Sequence, residues 1–114
     1  MLQEEELVRR IAVLAQDEKA INVSILDIRK LTVLADYFII ASGRSVLQVK
    51  NLADTIVNTL SEEADLHPLR QEGLSEGKWA VLDYGMVIIH LFRQEEREFY
   101  QLESLWGDAL PVMV

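Results

Sequence analysis

Residues 87–92, Val-Ile-Ile-His-Leu-Phe, form a nearly unbroken apolar run in which only His90 carries a polar group. A strand of this composition has no face to give to water and must be covered on both sides, so the chain has to build layers of helix and sheet around it. Residues 79–83, Trp-Ala-Val-Leu-Asp, read as a second strand just upstream. With Tyr84-Gly85 between the segments 79–83 and 86–92, the two predict a hairpin in which Gly85 takes the positive φ of a tight turn.

The other elements follow from periodicity. Leu7, Val8, Ile11, Leu14 and Ala15 keep helical spacing and predict a helix over 3–18, with Glu4, Glu5 and Glu6 in the first turn, where the helix dipole favours negative charge. Residues 22–28 and 37–41 are short, rich in branched side chains and read as strands, the second stopping at Ser42-Gly43. Ser45 and Gln48 then have the spacing of a capping box, and Val49, Leu52, Ala53, Ile56 and Leu60 supply one apolar helix face to about residue 62. A weaker strand covers 67–71. A closing helix over 95–105 is expected to bury Phe99, Leu102 and Trp106, with Tyr100 off that stripe and its hydroxyl in need of water or a partner. Pro68 and Pro111 fall at element edges, and no linker or repeat divides the chain. The expectation is one α/β (α+β) domain over 1–114, a mixed sheet flanked by helices.

Half of the 114 residues are apolar, so a single ordinary core is within reach. The longest apolar runs, such as 86–89 and 110–114, are far short of the roughly 18 residues of a membrane span. The acidic opening, Met1 to Glu6, lacks the basic character of a secretory or organellar leader, and the chain has no cysteine; a cytoplasmic protein without membrane association is expected. Nineteen acidic residues against eleven basic ones give a net charge of −8, and seven of those eight charges fall in residues 58–114. Nucleic-acid binding relies on Lys and Arg against phosphates, so this half predicts little direct RNA or DNA contact and favours a basic protein partner, although acidity also serves solubility.

Few residues suit catalysis. His67 and His90 stand alone, without the three or four ligands that a metal site needs, so no metal or cofactor is expected. Ser42-Gly43 leading into a helix start has the outline of an anion cradle, but Arg44 follows where a phosphate loop has glycine, and no Asp-x-Asp occupies the neighbouring segment 69–72. A tight turn closed by a capped helix is the favoured reading of it. The last quarter differs in character: Trp79, Tyr84, Phe99, Tyr100 and Trp106 are five of the eight aromatic residues, interleaved with Asp83, His90, Arg97, Glu103 and Asp108. Aromatics among charges are what interface centres use.

Taken in order, Leu26-Asp27-Ile28, Ala35 through Gly43 (ADYFIIASG), Glu72-Gly73, Trp79 through Gly85 (WAVLDYG), Ile88 through Phe92 (IIHLF) and Arg97 through Trp106 (REFYQLESLW) resemble the ribosomal silencing factor family, RsfS, also called the Iojap family. The likeness covers nearly the whole chain. Met86 departs from it, since the family commonly follows this turn with an Asp or another polar residue. The resemblance implies a nucleotidyltransferase-like fold that has lost its catalytic acids, and a non-enzymatic role: binding the large ribosomal subunit through ribosomal protein L-fourteen and blocking its union with the small subunit when nutrients are scarce. A role in large-subunit assembly and, further off, a nucleotidyltransferase-like enzyme are the alternatives. By this likeness and the surface reasoning, Trp79, Asp83, Tyr84, His90, Tyr100, Glu103 and Trp106 are the candidate docking or docking-supporting residues. A homodimer is compatible with the same role.

Overall fold

The computed structural model describes residues 3–112, so Met1 and Leu2 of the acidic opening, and Met113 and Val114 of the last apolar run, lie outside it. The chain runs α1 (Glu4–Asp17), β1 (Ile21–Asp27), β2 (Tyr37–Gly43), α2 (Val46–Ala64), β3 (Arg70–Glu72), β4 (Trp79–Asp83), β5 (Val87–Arg93), α3 (Gln94–Tyr100), α4 (Leu102–Leu105) and β6 (Leu110–Val112). Among the described residues one six-stranded sheet forms, in the order β3-β4-β5-β2-β1-β6. Only β2 and β5 pair in parallel within it, so the sheet is mixed as expected.

Alternation along the strands divides the sheet into two unlike faces. Tyr37, Ile39 and Ala41 of β2, Ala80 and Leu82 of β4, and Val87, Ile89 and Leu91 of β5 point into one core with the apolar stripes of α1 and α2. Phe38, Trp79, Val81, Ile88, His90 and Phe92 have the opposite parity and belong to the second face. Over that face α3, α4 and the segment after them give partial cover, with Trp106 and Ala109 packed against a small cluster of Ile28, Ala35 and Phe38. The apolar run of β5 is therefore covered on both sides, completely on one and in part on the other.

Local signals hold where their partners are local. Ser45 Oγ accepts from Gln48 N at 3.1 Å as the α2 cap, while Gln48 Oε1 accepts from Arg44 N at 2.7 Å, one residue before the expected box position. Gln48 Nε2 then donates to Lys19 O at 3.1 Å and ties the helix start to the end of α1. In the β4–β5 hairpin Gly85 takes φ +88° as expected, and Asp83 Oδ1 accepts from Gly85 N at 2.8 Å.

Three expectations need correction. The strand placed at 67–71 is β3, Arg70–Glu72, because Pro68 has no N–H to give the ladder and pairing with β4 begins only at Leu69 N, which donates to Asp83 O. The closing helix is broken: Gln101 adopts φ +47°, separating α3 from α4, and Phe99, expected in the core, is 79% exposed. Leu102 and Trp106 are half-buried. Residues 110–112, expected only as an apolar run with Pro111 at an element edge, form the edge strand β6 against β1. An edge tolerates proline, since one side of its ladder is unpaired.

At the start of α1, Glu4 lies against Asp36. Burial first, and then hydrogen bonding and like charge from Asp36, push its carboxyl up to about 7. The folded chain therefore holds this proton more tightly than the unfolded one, so the associated stability is full below the ordinary value of 4.5 and is lost as pH rises through 7. Glu4→Gln should stabilise the fold at pH 8 by ~1 kcal/mol, solvent screening of this partly exposed pair keeping the gain small, and the gain should vanish by pH 4.5. Urea melts of both chains at the two pH values check this.

Candidate functional site

The second face carries a continuous aromatic array. Trp79 and Phe92 are cross-strand partners on β4 and β5, stacked with ring centroids 4.8 Å apart. Trp79 also meets Tyr100 at 4.9 Å, and Tyr100 meets the exposed Phe99 edge-on at 5.0 Å. Two residues along β5 from Phe92, His90 sits edge-on to Phe38 at 4.9 Å, and Phe38 is edge-on to Trp106 at 5.1 Å. Edge-to-face contacts of this kind set the negative ring face of one residue against the positive edge of the next and hold the array rigid.

Beside the array lies a cavity of about 220 Å³ lined by Phe38, Arg70, Glu72, Val81, Asp83, Ile88 and His90. Its rim is charged. Arg70 pairs with Asp83 across the β3–β4 ladder at 3.6 Å, and Glu72 is exposed on the same edge strand as Arg70. His90 is at the floor, 8% exposed, and Trp79 Nε1 donates to its Nδ1 at 3.1 Å. Burial pushes the His90 imidazole down to about 4, so the ring is neutral at ordinary pH. Because the folded value lies below the unfolded 6.5, the stability tied to this neutral ring is present above pH 6.5 and is lost as pH falls towards 4. The loss should be roughly 3 kcal/mol, and it should shrink by that amount in His90→Asn, which cannot titrate. Denaturant midpoints at pH 7 and pH 4 for the two chains measure it.

Of the residues singled out from sequence, Trp79, His90, Tyr100 and Trp106 are brought together in the array, and Asp83 stands at its rim. Tyr84 is apart: it is buried in the core on the α1–α2 side, where burial pushes its hydroxyl up to about 12, and its contribution to the second face is the turn that it closes through Tyr84 N to Val87 O. Glu103 is engaged inside the molecule, accepting from Arg97 Nε at 3.0 Å and from Ser24 Oγ at 3.1 Å. Phe38, Phe92, Val81, Ile88, Arg70 and Glu72 were not singled out from sequence. The available signal was strand parity, because each shares a face with Trp79 or His90 once the register of β2, β3, β4 and β5 is known.

Three amides at the helix start that follows Ser42-Gly43 are engaged within the molecule. Arg44 N is bound by Gln48 Oε1, Gln48 N by Ser45 Oγ and Val49 N by Ser45 O. Ser42 is fully buried and its hydroxyl accepts from Arg97 Nη1 at 2.9 Å. A Cβ on Gly43 would lie 3.1 Å from Val49 N, so glycine is required there for the strand end to pack closely on the helix start. Among the described residues, no group of three His, Cys, Asp or Glu is placed to hold a metal ion, and no helix is long and apolar enough to cross a membrane.

Comparison with known proteins matches the chain to one family. The family described as "Ribosomal silencing factor during starvation" matches residues 2–114. The chain is similar to the ribosomal silencing factor RsfS of Bacillus subtilis, 33% identical over 95% of this chain and 91% of that one. It is 40% identical to the RsfS of Zymomonas mobilis over 80% of this chain and 68% of the relative. A crystal structure of a Chromobacterium violaceum protein superposes with a TM-score of 0.89 at 32% identity, covering 93% of this chain and 88% of that one. By whole-length family match, sequence identity and shared fold, the chain belongs to the ribosomal silencing factor family.

Proposed function

We propose that this protein docks on the large ribosomal subunit through ribosomal protein L-fourteen and, by occupying the surface that meets the small subunit, prevents the two subunits from joining and so represses translation under nutrient limitation. The observation that carries this reading is the second sheet face, an aromatic array half open to solvent and rimmed by Glu72 and by Asp83 with its partner Arg70, a net acidic edge. Rigid aromatics give docking energy at little entropic cost, and an acidic rim suits a basic ribosomal protein while repelling the RNA around it. The mechanism requires no chemical step. Occupancy of the shared surface removes large subunits from the joining equilibrium by mass action. Trp79, Tyr100 and Asp83 are assigned to direct contact, His90 and Trp106 to the floor and back of the surface, and Tyr84 and Glu103 to supporting the turn and the α3–α4 segment.

Purified protein is expected to co-sediment with isolated large subunits and to reduce their re-association with small subunits in proportion to occupancy. Unchanged re-association at saturating protein would remove the anti-joining role. Asp83 allows a narrower test, because Asp83→Asn deletes the charge but keeps an oxygen for Gly85 N. Exposed charges are screened within about 10 Å at 0.1 M salt. Asp83→Asn should therefore weaken docking about threefold at low salt and by much less at high salt, where wild type has already lost the same attraction. An equal loss at both salt concentrations would assign Asp83 a packing role instead. Glu103 is unsuited to this comparison, since its carboxylate holds Arg97.

A further inference from the structure

Among the buried polar side chains of the second face, one nitrogen stands out. Trp79 Nε1, which only donates, gives its hydrogen to His90 Nδ1, so that nitrogen is the acceptor of the ring and the ring proton resides on Nε2. Nε2 is buried and has no hydrogen-bond partner among the described residues. His90 lines the cavity between β2, β3, β4 and β5, whose other walls are Phe38, Val81 and Ile88, with Arg70, Glu72 and Asp83 towards solvent. A buried donor without an acceptor is costly in the free protein, and a functional partner is one of the reasons native structures keep such a group.

We infer that His90 presents its Nε2–H, from the cavity floor, to a main-chain carbonyl oxygen of the docked protein, making it the residue that fixes the register of docking. The proposal rests on the docking reading above and deepens it. A neutral carbonyl fits better than an anion, because Glu72 and Asp83 at the mouth repel a carboxylate or a phosphate, whereas basic side chains beside the carbonyl would meet those two acids. Arg70 is the long lining side chain, with its own side chain 74% exposed and a 3.6 Å contact to Asp83. An incoming basic residue replaces it against Asp83. Ring neutrality is part of the arrangement, since a protonated imidazole would lose the Trp79 bond; burial, which holds the ring well below its ordinary value, secures it.

Two substitutions separate the two nitrogens. In His90→Asn the amide oxygen takes the Nδ1 place and still accepts from Trp79, but the outward donor is gone; in His90→Gln the amide nitrogen takes the Nε2 place and keeps the donor. Binding to purified large subunits, read by sedimentation, should fall about tenfold for His90→Asn and stay within about threefold of wild type for His90→Gln. Wild-type affinity for His90→Asn, or equal losses for both, overturns the proposal. If wild type itself does not sediment with large subunits, the docking reading falls and the donor's role falls with it, an outcome distinct from a wild type that binds while the variants do not differ. A measurement on the unaltered chain stands beside these: nitrogen-15 resonances of His90 in the free protein should report the Nε2–H tautomer, and an Nδ1–H tautomer would overturn the assignment without any variant.

Discussion

Arg97→Met is expected to destabilise the fold by about 3 kcal/mol and to release α3 and α4 from the sheet, an effect at the lower end for breaking a buried charge network. Neither helix contributes a fully buried residue, so the packing of Tyr100, Leu102 and the following Trp106 holds them only in part. Arg97 supplies the rest. Its side chain is only 10% exposed, and its three guanidinium nitrogens reach Glu103 Oε1 at 3.0 Å, Ser42 Oγ at 2.9 Å, Ile21 O at 3.1 Å and Ser24 Oγ at 3.3 Å. Methionine fills the space of the stem but leaves the Glu103 carboxylate with only Ser24 to hydrogen-bond it, and leaves Ser42 and Ile21 O without their donor. Arg97→Lys should recover less than half of the loss, because an ammonium cannot span the same set of oxygens as the planar fork. Urea melts give the stability, and hydrogen exchange across 94–106 gives the local release. Global loss without faster exchange in that segment would mean that the two helices are held some other way.

The same residue explains what was legible in the sequence and what was not. The cap of α2, the stripes of α1 and α2 and the β4–β5 turn depend on residues within a few positions of one another, and each is found where its spacing places it. The break at Gln101 depends on Arg97, whose partners Ser42, Ser24 and Ile21 lie 55, 73 and 76 positions away. In a continuous helix, Arg97 and Glu103, six positions apart, would point about 120° apart around the axis; only a break turns Glu103 back to Arg97. No window of sequence contains that requirement, so periodicity alone extended the helix and buried Phe99. Edge strand β6 has the same explanation, since its pairing with Ile25, Leu26 and Asp27 spans most of the chain. For the candidate site, residue type identified the aromatic anchors, but their division between the two faces needed the register. Tyr84 and Trp79 are both aromatics of the same hairpin, and their parity sends one into the main core and the other onto the open face.

Trp79→Ala is expected to reduce binding to large subunits by about thirtyfold or more, the scale of a central aromatic hot spot. Trp79 is the centre of the array: it rests on Phe92, touches Tyr100 and holds His90 through its indole N–H, so its removal deletes contact area and three organising contacts together. Stability should fall too, by about 2 kcal/mol, less than for a fully buried tryptophan because Trp79 is only half-buried. The two effects are separable by measuring binding well below the melting transition of the variant. Trp79→Phe supplies the intermediate case. Its ring can still stack on Phe92 and lie against Tyr100, but no donor reaches His90 Nδ1, so the imidazole is free to exchange tautomers. Binding should fall only about fivefold, in line with keeping the anchor while loosening the donor beneath it. Wild-type affinity for Trp79→Ala would place the docking surface elsewhere on the molecule. Equal losses for the Ala and Phe variants would mean that the indole N–H, and through it the orientation of His90, matters more than the area that Trp79 covers.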